Sequence, residues 1–286
     1  NFSVSGGNFT SGEKSHARFN GTGTTFPFQN GIVLSTGKAL NTIGPNATLS
    51  DDGQNMGWDG DQDLETALNL GNSFNATVLE FDFTTVGNKF SFDYIFSSEQ
   101  YLTNPTANQC NFTDGFAFLL KQVGSTDPYV NLALVPNTTI PVKVNTVRGT
   151  GTICPAENAA YFDAFNGTEH PTNFNGQTVV LKAQADILPN TLYHIKLVIA
   201  DEGNGRFDSA IFLGGGSFNF ELNLGDDRLI ANGNPLCQNE NLLLNAAQPG
   251  TNLYQWFKDG NLLVGETNPT YNVTAPGDYL VDVNIN

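Results

Sequence analysis

Asp201, Glu202, Gly203, Asn204, Gly205 and Asp208 crowd a single loop between two apolar runs, IKLVIA (195–200) and SAIFLG (209–214). Residue types of this kind support three chemistries. The first is a solvated acidic turn closed by side-chain-to-backbone hydrogen bonds. The second is a divalent cation site, in which Asp201, Asn204 and Asp208 supply oxygens and Gly203 and Gly205 let main-chain carbonyls join them. Ca2+ takes roughly six to eight such oxygens. The third is a catalytic carboxylate pair, which glycoside hydrolysis sets about 5–9.5 Å apart.

Two more carboxylates bear on the choice. Glu99 ends one strand-like run and Asp114 begins another, on either side of a loop holding Cys110. If those strands are neighbours, both side chains meet loop 201–208 at one end of the fold. Gathered carboxylates repel one another unless a cation or a shared proton intervenes. We therefore expect a structural Ca2+ held by Asp201, Asn204, Asp208, Glu99 and Asp114. A second candidate loop carries Asp59, Asp61 and Asp63 on alternate residues, the early spacing of an EF-hand. Leu64 at the glycine position and Leu70 at the terminal glutamate position exclude an EF-hand. What remains is another kind of cation loop or a solvated acidic loop. The three histidines form no HExxH pair, no GxSxG is present, and the glycines of FLGGGSF (212–218) lack the Lys-Ser/Thr of a phosphate loop.

Strands must position these residues. Apolar runs recur at short intervals: 31–37, 76–86, 89–98, 116–123, 130–136, 178–187, 193–201 and 209–222. Phe90, Phe92, Tyr94 and Phe96 share one face of the third run, and Ser91, Asp93, Ile95 and Ser97 the other; this period of two is the mark of a strand. Only 61–70 has a helical pattern. Many strands joined by long connections predict an all-β protein, a large sandwich of jelly-roll or lectin-like kind.

The charge balance narrows the partners. Lys and Arg number 12 against 28 Asp and Glu, a formal net charge of −16, which repels nucleic acid and anionic membrane surfaces. No run of apolar residues is long enough for a transmembrane helix. Of three cysteines, Cys110 and Cys154 lack CxxC spacing and read as a disulfide rather than two free thiols, with Cys237 unpaired. Such a bond implies an oxidising, extracytoplasmic setting.

The chain changes character over 224–240, which divides it into a domain at 1–228 and a second at 229–286. The later block resembles an immunoglobulin-like domain. Trp256 stands where the strand C tryptophan belongs and Tyr279 where the tyrosine corner belongs, while Val281 replaces the usual second cysteine. In bacterial arrays of such domains the partner of a cysteine placed like Cys237 follows the last strand, so the resemblance implies neighbouring domains of a longer chain.

The larger block resembles the choice-of-anchor L domain of exported surface proteins of Bacteroidetes. The resemblance runs from about residue 20 to 222 and rests on collinear motifs. These are GIVLSTGKALNTIGPN (31–46), LEFDF (79–83), FSFDYIFSSEQY (90–101), FTDGFAFLL (112–120), NLALVPNTTIPVKVNTV (131–147), YHIKLVIADEGNGRFDSAIFL (193–213) and GSF (216–218). Gln100 departs from the family's second glutamate, and Thr113 from its asparagine. The resemblance implies a non-catalytic adhesin-type module at the bacterial cell surface, exported by the type IX system and presenting loops to a glycan or another surface ligand. A purely structural spacer is the alternative; a carbohydrate-active hydrolase has only the carboxylates in its favour.

Overall fold

The computed structural model describes residues 2–53, 57–84, 87–222, 224–237, 240–248 and 251–284. Among these, the first unit has the strands β1 (Phe2–Ser5), β2 (His16–Asn20), β3 (Asn30–Ser35), β4 (Ser73–Thr84), β5 (Lys89–Ser98), β6 (Gly115–Gln122) and β7 (Val130–Asn131). It continues with β8 (Phe162–Phe165), β9 (Gly176–Thr178), β10 (Leu181–Asp186), β11 (Leu192–Glu202), β12 (Ser209–Gly214) and β13 (Asn219–Glu221). One sheet has the order β1-β4-β11-β6-β7. The other runs β2-β3-β12-β5-β9-β8, with β10 and β13 also paired to β5. All pairings are antiparallel, and the two sheets form the expected all-β sandwich.

Alternation decides the core. Phe90, Phe92, Tyr94 and Phe96 of β5 point inward with Ile211 and Leu213 of β12. They meet Phe116, Phe118 and Leu120 of β6 and Ile195, Leu197 and Ile199 of β11. Rings interlock across the interface: Phe92 and Phe118 lie 5.0 Å apart, Tyr94 and Phe118 4.8 Å, and Phe96 and Phe116 4.9 Å between centroids. Aromatic pairs in such arrangements add about 0.5–1.5 kcal/mol beyond area burial. Ile95, on the opposite face of β5, packs outside the sandwich with Val33, Phe26, Phe174 and Phe212.

The helix α1 (Gln62–Leu68) lies where the helical pattern predicts it. Asp61 caps it, accepting from the Leu64 N–H at 2.9 Å, and Asn69 closes it in the left-handed conformation at φ 53°. Leu64 is fully buried against Val78, Leu119 and Val198 on the outer face of the five-stranded sheet. Several predicted strands are shorter or divided. The run 209–222 breaks into β12 and β13 because Gly216 takes a left-handed φ of 73°. The run 178–187 breaks into β9 and β10, and 130–136 keeps only Val130–Asn131 as strand. The last two residues of the run 76–86 lie outside the described residues.

A smaller unit follows. Its strands are β14 (Leu242–Asn245), β15 (Leu253–Lys258), β16 (Asn261–Leu262), β17 (Thr270–Val273) and β18 (Tyr279–Asn284). They form a pair β14-β17 and a sheet β16-β15-β18 around Trp256, Tyr254, Leu244 and Ala246. Trp256 is completely buried and donates its indole N–H to the Asn268 carbonyl at 2.9 Å. Leu222 and Leu224 pack against this same cluster.

Candidate functional site

The alternation that builds the core also builds a polar end to it. Asp201 follows Ile199 on the inward face of β11, and Asp114 precedes Phe116 at the start of β6. Ser98 follows Phe96, and Ser209 precedes Ile211, with Ser209 paired to Ser98 across β12 and β5. Each is one inward step beyond the last apolar side chain. Because β11 and β6 are antiparallel, with Ala200 opposite Gly115, the end of one strand and the start of the other fall side by side. Asp114 and Asp201 are thereby brought together at one end of the sandwich.

A β-bulge shapes this end. The β11–β4 register shifts between Ile199, opposite Thr77, and Asp201, opposite Phe74. Asn75 sits in the bulge with φ 56°, a left-handed conformation that asparagine tolerates. Its N–H turns away to the Trp58 carbonyl at 2.9 Å. A Cβ at Gly53 or Gly205 would fall 3.0 or 2.6 Å from Asn75 Oδ1, so only glycines let these loops close on the amide. Phe207 also has a positive φ, of 65°, and its N–H is held by Asp51 Oδ1 at 3.1 Å.

Four carboxylates occupy this end, and all are sealed: Glu99 is 1% exposed, and Asp114, Asp201 and Asp208 are 0% exposed. Glu99 Oε1 accepts from the Ser50 N–H at 2.8 Å. Asp208 Oδ2 accepts from the Ser50 hydroxyl at 2.7 Å and the Asp52 N–H at 3.0 Å, while Oδ1 takes the Gly53 N–H at 3.5 Å. Asp114 Oδ1 accepts from Gln100 Nε2 at 3.0 Å, and the Ser209 hydroxyl donates to Oδ2. The departure at Gln100 thus has a role: an amide donates where a second glutamate would add charge. Asp201 differs from the others. Neither of its oxygens has a hydrogen bond of normal geometry, although the Thr36 hydroxyl lies close enough to favour the ionised form. Both amide atoms of Asn75, 1% exposed, are also unpartnered.

Burial dominates the electrostatics. Desolvation raises Glu99 to about 7, with the charges of Asp208 and Asp51 adding to it and hydrogen bonds from Ser50 and Asn175 opposing. Desolvation likewise raises Asp114 and Asp201 well above the usual carboxylate range; the charges of Asp208 and Glu202 raise Asp114 further, and those of Asp114, Asp208 and Asp51 raise Asp201. Asp208 rises for the same first reason, against three hydrogen bonds that favour its charge.

The predicted ligands therefore separate. Asp201, Asp208, Glu99 and Asp114 come together. Asn204 does not join them; it is exposed at the loop tip, because Gly203 turns the chain outward at φ 80°. The buried amide is Asn75, which sequence reasoning missed. Its only signal is an asparagine at the mouth of an apolar strand. The second loop dissolves as a ligand set. Lys196 Nζ binds Asp61 at 2.6 Å and Asp63 at 2.7 Å, and Asp61 also caps α1, while Asp59 is exposed. The cation there is a lysine. Cys110 and Cys154 are disulfide-bonded, and Cys237 is free and exposed.

Sealed from solvent, these four carboxylates cannot reach a polysaccharide. What the geometry does offer is a buried group of side-chain oxygens. Among the described residues no three Asp, Glu, His or Cys side chains converge closely enough to form an ion's shell by themselves. An ion here would need Asn75 Oδ1 and main-chain carbonyls as well, a hard-oxygen set of the kind Ca2+ accepts.

Residues 1–219 match the choice-of-anchor L domain. The chain belongs to the choice-of-anchor L family. That family implies a surface-anchored or secreted protein, and among the described residues no helix is long and apolar enough to cross a membrane. The choice-of-anchor L match ends inside β13, where Leu222 and Leu224 begin to pack on the smaller unit. No curated protein matches the chain. Among solved structures it is similar to TmCBM61 in complex with β-1,4-galactotriose. That likeness is distant: 8% identity, 78% of this chain and 88% of that one covered, and a TM-score of 0.32.

Proposed function

We propose that this choice-of-anchor L domain is a non-catalytic binding module of an exported surface protein. Its acidic end holds a structural Ca2+, and its ligand is a glycan or another surface component. The observation that carries the cation is Asp201, fully buried with neither oxygen in a hydrogen bond of normal geometry, opposite Phe74, the neighbour of Asn75, whose amide is also unpartnered. A buried polar group left unsatisfied costs about 1–3 kcal/mol, and a charged one more. A divalent cation reverses the sign of the repulsion among Asp201, Asp114 and Asp208. Asp201, Asn75 and Asp114 would hold it; Asp208 and Glu99 are engaged by the 50–53 loop and would flank it. The same burial supports a non-catalytic role, since it removes every one of these carboxylates from substrate.

The smaller unit is read as immunoglobulin-like. Trp256 fills its core, and the Tyr279 hydroxyl donates to the Ala275 carbonyl at 2.7 Å, the bond of a tyrosine corner. The packing of Leu222 and Leu224 against its core supports a division between the two units in this stretch, near residue 228.

Thermal melting at pH 7 with Ca2+ or with a chelator tests the cation. Calcium at a hundredfold excess over its Kd should add ~2.7 kcal/mol, and Asp201→Asn should remove that increment. Identical wild-type melting curves in calcium and chelator would overturn it. A glycan array of the full chain tests the binding role, and an empty array with no retention on host or microbial surface preparations would sink it.

A further inference from the structure

Asparagine followed by glycine carries a chemistry of its own. The glycine nitrogen can attack the asparagine side-chain carbonyl, because the glycine has no Cβ to hinder the approach. Ammonia leaves and a succinimide ring closes. Water then opens the ring at either carbonyl. One route gives aspartate. The other gives isoaspartate, in which the main chain runs through the side chain and is longer by one methylene. Two conditions govern the first step: the side-chain amide must be free to swing over the main chain, and the glycine N–H must be free of an acceptor.

Six Asn-Gly pairs occur in the chain, beginning at Asn20, Asn30, Asn166, Asn175, Asn204 and Asn232. The fold restrains five of them. The Gly21 N–H donates to the Gln29 carbonyl at 2.9 Å, and Asn20 Oδ1 accepts from the Thr22 N–H at 3.0 Å. Gly31 lies inside β3, between Phe19 of β2 and Gly214 of β12. Asn166 and Asn175 donate their side-chain amides to the Phe174 and Glu99 carbonyls at 2.9 and 2.7 Å. Asn232 donates to the Asp227 carbonyl at 3.2 Å, and the Gly233 N–H to that of Ile230 at 3.1 Å.

Asn204 meets both conditions. It is exposed at the loop tip, and among the described residues neither its side-chain amide nor the Gly205 N–H has a hydrogen-bond partner. Gly203 on its other side, at φ 80°, adds no side chain to crowd the turn. The glycine at 205 is imposed by packing: a Cβ there would fall 2.6 Å from Asn75 Oδ1 and 3.3 Å from the Gly53 carbonyl oxygen. The close approach to Asn75 thus keeps at 205 the one residue type that leaves Asn204 open to attack.

We propose that Asn204 is a self-modifying site, converted by the Gly205 nitrogen through a succinimide to isoaspartate and aspartate. The Gly205 N–H proton leaves with the Asn204 amide nitrogen as ammonia, and water supplies the oxygen of the new carboxylate. The product adds one negative charge to a chain of net charge −16, in the loop that joins Asp201 to Asp208. The isoaspartyl form also lengthens the main chain of that loop, whose two end residues are buried, immediately before Gly205 packs on Asn75.

The full chain, incubated at mildly alkaline pH and then digested, tests this by mass mapping of the six Asn-Gly peptides. Exchange of NH2 for OH raises the mass, and enzymatic methylation of isoaspartate separates the two products. Asn204 should be converted roughly tenfold faster than any of the other five, which must first break a hydrogen bond or a strand ladder. In urea, where the fold no longer protects them, all six should be converted at similar rates. Asn204→Gln should abolish the early product. With chelator present, chains aged to isoaspartate should melt below Asn204→Asp, which carries the same added charge on an ordinary main chain. Conversion of another Asn-Gly pair at an equal or faster rate in the folded chain, or the same ranking with and without urea, overturns the site. Equal melting of the aged chain and Asn204→Asp overturns the effect on the loop and leaves the site standing.

Discussion

The Ser50 hydroxyl donates to Asp208 Oδ2 at 2.7 Å across 158 residues of sequence. Through that one carboxylate, which also takes the Asp52 and Gly53 N–H groups, the 50–53 loop is fastened to the start of β12. Asp208 is thus an organiser of the acidic end, already satisfied by protein donors, and Asp201 is the open member.

Asp208→Ala should accordingly be among the most damaging substitutions at this end. It leaves the Ser50 hydroxyl and two backbone donors without their acceptor, and an unsatisfied buried group costs about 1–3 kcal/mol. We expect a loss of about 3 kcal/mol in urea unfolding with chelator present, and a smaller loss for Asp208→Asn, whose amide oxygen still accepts. A calcium-free stability equal to wild type would contradict this role.

The pH dependence follows from Glu99. Its folded pKa of about 7 lies above the 4.5 of an unburied glutamate, so the folded state holds a proton that the unfolded chain gives up. The associated stability is fully present below pH 4.5 and is lost as pH rises through 7. The loss is on the order of 3 kcal/mol at most, at about 1.36 kcal/mol per unit. Asp114 and Asp201, also raised, add to it in the same direction. In chelator, stability should fall between pH 5 and 8, and Glu99→Gln should flatten part of that slope. Stability that rises through this range in wild type would contradict the assignment.

Lys196 is the third test. Its side chain is largely buried on β11 and holds both Asp61 and Asp63; desolvation lowers its pKa, and the hydrogen bonds and charges of the two aspartates outweigh that and raise it. Removing one partner of a largely buried ion pair costs about 3–5 kcal/mol when sealed from water; with Asp63 nearly half exposed, we expect about 1–2 kcal/mol for Lys196→Met. If calcium restores the loss in the variant, the second acidic loop has acquired a cation site that the lysine normally occupies.

The disulfide between Cys110 and Cys154 spans 44 residues, and the chain-entropy relation assigns ~4 kcal/mol to a loop of that length. Mild reduction or Cys110→Ser/Cys154→Ser should lower the urea midpoint accordingly. Without reduction, alkylation should label Cys237 alone. A mass map linking Cys237 to either of the others would refute this pairing.

The sequence by itself determined the class of fold, the inward faces and the pairing of cysteines. A strand's period of two leaves only two ways for Phe90, Phe92, Tyr94 and Phe96 to face, and four aromatic side chains choose the core. It also pointed to Asp201, Asp208, Glu99 and Asp114, because carboxylates at strand ends are unusual enough to notice. Tertiary structure decided the rest. Asn75 became part of the site through a bulge, which depends on the register of β4 against β11 and leaves no periodic trace. Asn204 lost its place because burial depends on which loops close over the chain: the 50–53 segment covers Asp208, while Gly203 carries the tip into solvent. In sequence, Asp61 and Asp63 fit a cation loop or a solvated acidic loop equally; Lys196, more than a hundred residues away, is laid beside them by the sheet. Charge neutralisation acts through space, and the chain order does not reveal which countercharge a fold will supply.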